Sequence, residues 1–401
     1  MSTPAKPAAS AAFPALFPPL QSKLPRVGTT IFTTMSQLAL EQDAINLSQG
    51  FPDFDVPSEL ADLLAHYVRA GYNQYPPMTG VPYLRAQIAL KSERLYGASV
   101  DADTEVTVTS GATEALLVAI QAVVHPGDEV IVFDPAYDSY EPAVALCQGI
   151  TRHIPLLAPT YGIDWQRLQD AINPKTRLLI LNTPHNPTGS VVSSADLEQL
   201  AELLRGTGIY VVADEVYEHM VFDGARHHSV LGHPELRARA FVVSSFGKTY
   251  HATGWKVGYC IAPPAMTVEF RKIHQFVTFT THTPTQWALA AYLESNPGHY
   301  LGLGDFYQAK RDLFLEQMAS SAFTLLPSQG TYFQLADYSA ISDMPDTEFA
   351  RYLTCVCKVA AIPVSVFCAV PTNNHLVRFC FAKQDDTLRI AAERLSQISV
   401  A

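Results

Sequence analysis

The chain has 401 residues, 48% hydrophobic and 16% charged, with 27 basic against 38 acidic side chains and a net charge of -11. That length predicts two domains rather than one small core. No run of Lys or Arg supplies the concentrated basic face that a sequence-independent grip on nucleic acid needs, and no apolar stretch of ~18 residues is long enough to span a membrane.

The opening segment, MSTPAKPAASAAFPALFPPL, is Ala/Pro-rich, with Lys6 as its only charge. Its prolines interrupt any apolar core, which argues against a signal peptide and for a cytoplasmic protein. A flexible arm lying down on the body near Leu24 is the expectation.

From residue 105 the chain alternates short apolar runs with helical patterns, the mark of a parallel sheet with crossover helices. The runs are EVTVTS (105–110), EVIVFDP (129–135), RLLILNTP (177–184), IYVVADE (209–215) and AFVVSS (240–245). They are continuously apolar, as strands buried on both faces are. After the first run, Ala112, Ala115, Leu116, Ala119, Ile120 and Val123 keep the spacing of one buried helical face. Beyond about residue 290 the pattern changes. Helices near 306–320 and 346–359 precede LVRFCFA (376–382) and a final amphipathic helix, which predicts a smaller α+β domain joined by the N-terminal arm. The expected division is 1–46 for the arm and part of the small domain, 47–290 for the large domain and 291–401 for the small one. The six cysteines, CVC at 355–357 included, lack zinc spacing and are expected to be reduced thiols, with no metal bound.

In open parallel sheets, ligands sit beyond the carboxyl ends of the strands. TSGATEA (109–115) offers a strand, a small-residue turn and a helix start, where Gly111 and Ala112 allow a phosphate to approach free backbone N–H groups. Tyr137, in DPAYDSY, is placed to stack on a flat heterocycle. The prolines of NTPHNPTG (182–189) stiffen a turn and would hold Asn186 as a fixed donor. Asp214, in ADEVYEH, ends an apolar strand, where a buried carboxylate needs a partner such as a protonated ring nitrogen, with Tyr217 within reach of the same ligand. In SSFGKTYHATGWKVGYC (244–260), Lys248 stands in a turn of small residues where desolvation and neighbouring cations would make it nucleophilic, while Ser245 and Lys256 suit an anion. Each feature alone has an ordinary structural reading as a turn, a rim aromatic or a satisfied charge. Together, five successive strand ends supply a phosphate cradle, an aromatic plate, an amide, a carboxylate and an amine, the set that pyridoxal 5'-phosphate requires.

SFGKTYHATGWKVGYC, NTPHNPTG and ADEVYE closely resemble the class I aminotransferases of pyridoxal-phosphate fold type I, and within them the methionine/aromatic aminotransferases and the kynurenine (glutamine) transaminases. The likeness runs from about residue 24 to the C-terminus. It implies a large domain with a mostly parallel sheet flanked by helices, plus a smaller α+β domain, and the following roles. Lys248 attaches the cofactor covalently and then carries the substrate proton. Asp214 pairs with the pyridine nitrogen, Tyr217 and Asn186 hold the ring hydroxyl, and Tyr137 stacks on the ring. Gly111, Ala112, Thr113, Ser245 and Lys256 hold the phosphate. Arg378 clamps the substrate carboxylate, with Asn186 and Gly50 beside it. On sequence alone, an arginine in LVRFCFA could equally point to solvent from an edge strand. Tyr75, in YNQYPPMTG, matches the tyrosine that reaches the phosphate of a neighbouring subunit, which implies a homodimer with shared sites. Many class members carry arginine where this chain has Lys256, whereas kynurenine-type relatives share the lysine. A lysine offers a point charge rather than a planar fork.

The resemblance therefore implies a ping-pong aminotransferase moving an amino group from an amino acid to a 2-oxo acid. Tyr72, Phe276, Phe279, Tyr332 and Phe367 are candidate walls of the side-chain pocket. No second arginine presents itself for an acidic side chain, which favours methionine, aromatic, glutamine or kynurenine-type donors. His185, His251 and His282 are given no role. Two other readings remain open: a β-lyase of cysteine conjugates or cystathionine using the same Lys248 and Asp214, and, more remotely, an aminotransferase-like ligand sensor.

Overall fold

The computed structural model describes residues 20–370 and 373–398, so the expected Ala/Pro-rich arm falls mostly outside the described residues. From residue 20 the chain crosses the body to helix α1 (Ile31–Glu41), whose first turn is capped by the Thr30 hydroxyl accepting from the Thr33 N–H at 3.3 Å. Strand β1 (Ile45–Asn46) follows, then α2 (Ser58–Arg69) and α3 (Pro82–Tyr96).

Strands β2 (Val106–Thr109), β3 (Glu129–Asp134), β4 (Ile150–Pro155), β5 (Thr176–Asn182), β6 (Tyr210–Asp214), β7 (Ala240–Ser245) and β8 (Gly258–Ile261) form one seven-stranded sheet in the order β2-β8-β7-β6-β5-β3-β4. The five apolar runs are five of these strands. Strand β4 was not legible because ITRHIP alternates exposed and half-buried residues, being an edge that pairs only with β3. Strand β8 runs antiparallel to both β2 and β7. The chain between β7 and β8 makes one helical turn (Phe246–Thr249) and a tight return, not a crossover helix, so β8 comes back alongside β7 in the opposite sense.

Helices cover both faces. One face buries Val211, Ala213, Val242 and Tyr259 with Leu84 and Ile88 of α3. The other buries Val212, Phe241, Val243 and Cys260 with helix α4 (Gly111–Val123). The α4 residues read as a buried face lie there: Ala115, Leu116, Ala119, Ile120 and Val123 are in that core.

A second core collects the C-terminal third. Strands β9 (Thr324–Leu325), β10 (Phe333–Asp337), β12 (Ile362–Pro363) and β13 (Leu376–Cys380) make a four-stranded antiparallel sheet in the order β12-β13-β10-β9. Strand β11 (Val359–Ala360) pairs in parallel with β1, Ile45 opposite Val359 and Asn46 opposite Ala360. Met35 of α1 and Leu47 are buried in this core, beside Phe349 and Val359. The helix expected over 346–359 is Asp346–Cys355. It stops early because Lys358, with φ +57°, turns the chain into β11. All six cysteines are free, as expected.

Candidate active site

The carboxyl ends of the sheet open into a cavity of about 320 Å³, walled by residues from both cores. Its lining includes Gly50, Gly111, Ala112, Thr113, Tyr137, Asn186, Asp214, Tyr217, Ser245, Lys248, Lys256 and Arg378. These are all the site residues read from the sequence except Tyr75, whose side chain stands in the open, 83% exposed and edge-on to Phe279 at 5.4 Å.

One end of the cavity is built to receive an anion. Gly111 takes φ +77° at the start of the 13-residue helix α4, a conformation that favours glycine, and a Cβ there would stand 3.3 Å from the Lys256 Nζ. The backbone at Gly258 passes so close that a Cβ would lie 2.9 Å from the Ala112 nitrogen and 2.7 Å from the Ser244 oxygen. Glycine at 258 thus lets the strand carrying the lysine loop press against the helix start. The helix N-terminus, the Lys256 ammonium and Ser245 together offer an N–H cradle, a cation and a hydroxyl.

At the centre, Asp214 is 3% exposed and accepts from the Tyr140 hydroxyl at 2.6 Å. Burial pushes its carboxyl up to about 6, against the opposing pull of the Tyr140 hydroxyl, the Val216 N–H and the Lys248 charge. Lys248 is displaced the other way: burial lowers its amine to about 8, assisted by the Lys256 and Arg378 cations. Its Nζ donates to the Tyr332 hydroxyl at 2.9 Å and to the Gly50 carbonyl at 3.1 Å. Tyr137 lies edge-on to Tyr140 with ring centroids 5.6 Å apart.

At the far end, Arg378 is 1% exposed, so the solvent-facing alternative is excluded. Its Nη1 donates to the Asn186 side-chain oxygen at 2.8 Å and its Nη2 to the Ser48 carbonyl at 2.9 Å, while Nε has no partner. The guanidinium lies 3.9 Å over the Phe333 ring and 5.4 Å from Phe32 and Phe367. Because the Asn186 oxygen is taken by Arg378, its amide nitrogen is the atom free to donate into the cavity. The turn that presents it is tied down by the Asn182 side chain, which accepts from the Asn186 N–H at 2.8 Å.

The aromatic wall differs from the expected set. Phe32, Phe333 and Tyr137 line the cavity, and Tyr72, Phe276, Phe279, Tyr332 and Phe367 do not. Tyr72 packs on Tyr67 and Trp287, Phe276 is 85% exposed, and Tyr332 reaches the site by its hydroxyl alone. Phe32 was missed because it sits on a helix about 300 residues before β10, the strand of its own core that carries Phe333 into the site, a proximity without local signal in the sequence. A second cavity, of about 850 Å³, lies between residues 23–34 and 136–145 and shares Tyr137 with the first. His185 is buried against the Thr188 hydroxyl at 2.8 Å, and His282 contacts the Thr285 hydroxyl at 2.7 Å. Among the described residues no cluster of His, Cys, Asp or Glu could hold a metal, and no helix is long and apolar enough to cross a membrane.

Comparison with known proteins agrees with this geometry. The model of the family described as aminotransferase class I and II matches residues 42–395. The chain is 56% identical over 378 residues to the methionine aminotransferase of Escherichia coli K12, covering 94% of this chain and 98% of that protein. The crystal structure of the E. coli protein YbdL, described as identifying a methionine aminotransferase function, superposes with a TM-score of 0.93 over 95% of this chain and 100% of that one, at 56% identity. A probable N-succinyldiaminopimelate aminotransferase of Mycobacterium tuberculosis is 39% identical over 389 residues, 94% of this chain and 98% of that protein. A kynurenine–oxoglutarate transaminase of Dictyostelium discoideum is 34% identical over 414 residues, 92% and 94% of the two chains.

Proposed function

The chain belongs to the class I and II aminotransferases, an amino acid aminotransferase in a generally pyridoxal-phosphate-dependent family, and we propose that it takes methionine or another large uncharged amino acid as donor. The observation that carries this reading is the aromatic surround of Arg378. A carboxylate-binding guanidinium walled by Phe333, Phe32 and Phe367 leaves an apolar space beside the carboxylate, and among the residues that line the cavity there is no second arginine for an acidic side chain. The relatives named for methionine and for kynurenine support the same class of donor.

The residues fit pyridoxal 5'-phosphate. The glycine-lined helix start with Ser245 and Lys256 suits its phosphate, and the buried, raised carboxyl of Asp214 suits a pyridinium nitrogen. We assign Thr113 to the phosphate as well, Tyr137 to the ring face, and Tyr217 with the Asn186 amide to the ring hydroxyl. When bound, the cofactor supplies a carbonyl for amino-group exchange and a ring that withdraws electrons.

Around it the protein does the rest. Arg378 and Asn186 hold the substrate carboxylate, with the Nε of Arg378 as the donor still to be matched. Lys248, its amine lowered to about 8, would attach the cofactor and, once displaced by the incoming amino group, take and return the proton at the substrate Cα. Asp214 would hold the ring nitrogen protonated by supplying its counter-charge, which would also relieve the cost of burying its own. We place the division of labour at residues 47–290 for the cofactor and at 291–401, with 1–46, for the carboxylate.

Tyr75 and Phe279 stand exposed against each other, with Phe276 exposed nearby in the chain, and we assign this face to a homodimer in which Tyr75 serves the phosphate of the partner site. We also take the protein to be cytoplasmic.

The test is an absorbance spectrum of the holoenzyme before and after methionine is added without a 2-oxo acid. Loss of the yellow band with release of one 2-oxo acid per site supports the reading. A persistent yellow band with pyruvate accumulating from a cysteine conjugate would replace it with a lyase, and a protein that stays colourless with added cofactor would reject the cofactor assignment.

A further inference from the structure

We infer that Tyr332 is a positioning residue for the amine of Lys248, fixing through its hydroxyl the direction in which that amine exchanges a proton with the substrate. The inference rests on the reading of Lys248 as the group that carries the Cα proton.

Tyr332 is fully buried. Its ring is held edge-on against Tyr217 at 5.2 Å and Phe333 at 4.9 Å, with Tyr307 tilted against it at 5.6 Å. Its backbone carbonyl accepts from the Phe381 N–H at 3.0 Å, and Thr331 before it takes φ +67° with its own hydroxyl accepting from the Phe333 N–H at 3.1 Å. The hydroxyl position is therefore over-determined.

A phenol has one proton to give. Here it goes to the Gly50 carbonyl, 2.5 Å away, because a carbonyl can only accept. Toward Lys248 the phenol oxygen can then only accept, and Lys248 donates to it and to the same Gly50 carbonyl. A neutral amine has two N–H bonds, and both are committed to this pair of acceptors. The remaining valence, the lone pair, faces away from them.

When the Cα–H bond breaks, its proton forms the third N–H of Lys248 and the electron pair stays with the substrate. The ammonium later returns a proton by the same line. Burial, with Tyr217 beside it, keeps the Tyr332 phenol well above its ordinary ionisation range, so it remains a neutral acceptor throughout.

Two measurements on the holoenzyme test this, with Tyr332→Phe as the variant and Tyr307→Phe as the control. Tyr307 packs on the Tyr332 ring, but its hydroxyl lies 3.1 Å from His251, not on Lys248. The first reads the methionine half-reaction with protiated and Cα-deuterated substrate. Tyr332→Phe is expected to slow it about 10- to 100-fold with a larger isotope effect and KM within about twofold, and Tyr307→Phe is expected to change neither. An unchanged rate and isotope effect, or a loss confined to KM, would overturn the inference by reducing Tyr332 to a wall residue.

The second reads the pH dependence of Lys248 labelling by an amine reagent, followed by mass spectrometry, in enzyme carrying the amino form of its cofactor, where the lysine is free. Removing an acceptor that favours the ammonium should move the midpoint down by half a pH unit or more in Tyr332→Phe only. No shift overturns the proposal. Should the wild-type enzyme process no amino donor at all, the functional reading fails, yet the labelling still decides whether Tyr332 orients Lys248.

Discussion

Two buried polar clusters lie against opposite faces of the same strands. Side chains alternate along β6, β7 and β8, so Asp214 and Ser245 face the helix α4 side, and Ser244 and Tyr259 face α3. On the α3 side, Lys91 donates to Glu218 and to the Tyr259 hydroxyl, each at 2.7 Å, and Glu218 also accepts from Tyr259, Ser244 and Tyr96. Burial alone would raise the Glu218 carboxyl, but the Lys91 ammonium and this ring of donors hold it far below its usual range. On the α4 side the displacements run the other way. Asp214 is raised, Lys248 is lowered, and Arg378 is lowered to about 10 with one nitrogen unpaired. One cluster has matched its charges internally, and the other holds displaced charges and an unpaired nitrogen, as the proposed ligand site requires. The difference separates a buried network that stabilises the fold from one reserved for chemistry.

The largest effect should come from Lys248→Ala, which removes the group we assign as both nucleophile and proton carrier. Turnover should fall by at least ~10⁴-fold, measured in single-turnover experiments, while the α3-side cluster and overall stability stay as they are. Retention of more than a per cent of the activity would break the comparison.

On the opposite face, Lys91→Met strands Glu218 and should cost about 3–5 kcal/mol of stability in urea unfolding. Pairing it with Glu218→Gln should recover most of that loss, because no uncompensated charge remains. Equal losses in the single and double variants would show that shape, and not charge matching, is what that cluster contributes.

Asp214→Asn should do the reverse. The folded state holds this carboxyl near 6, above its unfolded 3.8. Between those values the folded state binds the extra proton, so cofactor-free stability falls as pH rises, with the full penalty present above pH 6. About two units corresponds to roughly 3 kcal/mol. The variant should therefore unfold later than wild type at pH 8 in the cofactor-free state, lose the slope between pH 4 and 6, and be a poor enzyme. Unchanged stability would mean that Asp214 is already paired without the cofactor.

The smallest effects concern the Arg378 end of the cavity and the exposed Tyr75. Arg378→Lys keeps the charge but loses the fork, and KM for the amino acid should rise about 10- to 100-fold with cofactor affinity unchanged. Tyr75→Phe, on a side chain that lines neither of the two cavities, should weaken cofactor binding about tenfold if the partner site uses it, and not at all otherwise.

How much of this was legible follows from distance along the chain. Lys248, Asp214, Asn186 and Gly111 each stand within a few residues of a buried strand end, and the topology of a parallel sheet gathers such ends at one edge, so local motifs were enough to find them. Strand β8 and the fold of residues 246–257 could not be read, because nothing in KVGYC distinguishes an antiparallel return from another crossover. Phe32 and Phe333 reach the cavity from α1 and β10, whose neighbourhood is set only when the second core forms. Lys91 and Glu218 lie 127 residues apart, and each alone reads as an ordinary surface charge on a helix or turn. Tyr332 was noticed as an aromatic, but its hydroxyl is what reaches the site.

The parallel pairing of β1 with β11 also orders the birth of the protein on the ribosome. Residues 106–261 hold the whole seven-stranded sheet in one contiguous stretch, so its strands can pair as they emerge. Helix α1 and β1, although synthesised first, find their neighbours only when Val359–Ala360 has left the exit tunnel. Phe32 rides on that helix and Arg378 follows β11, so the Arg378 end of the cavity is finished last, on a Lys248 end already built.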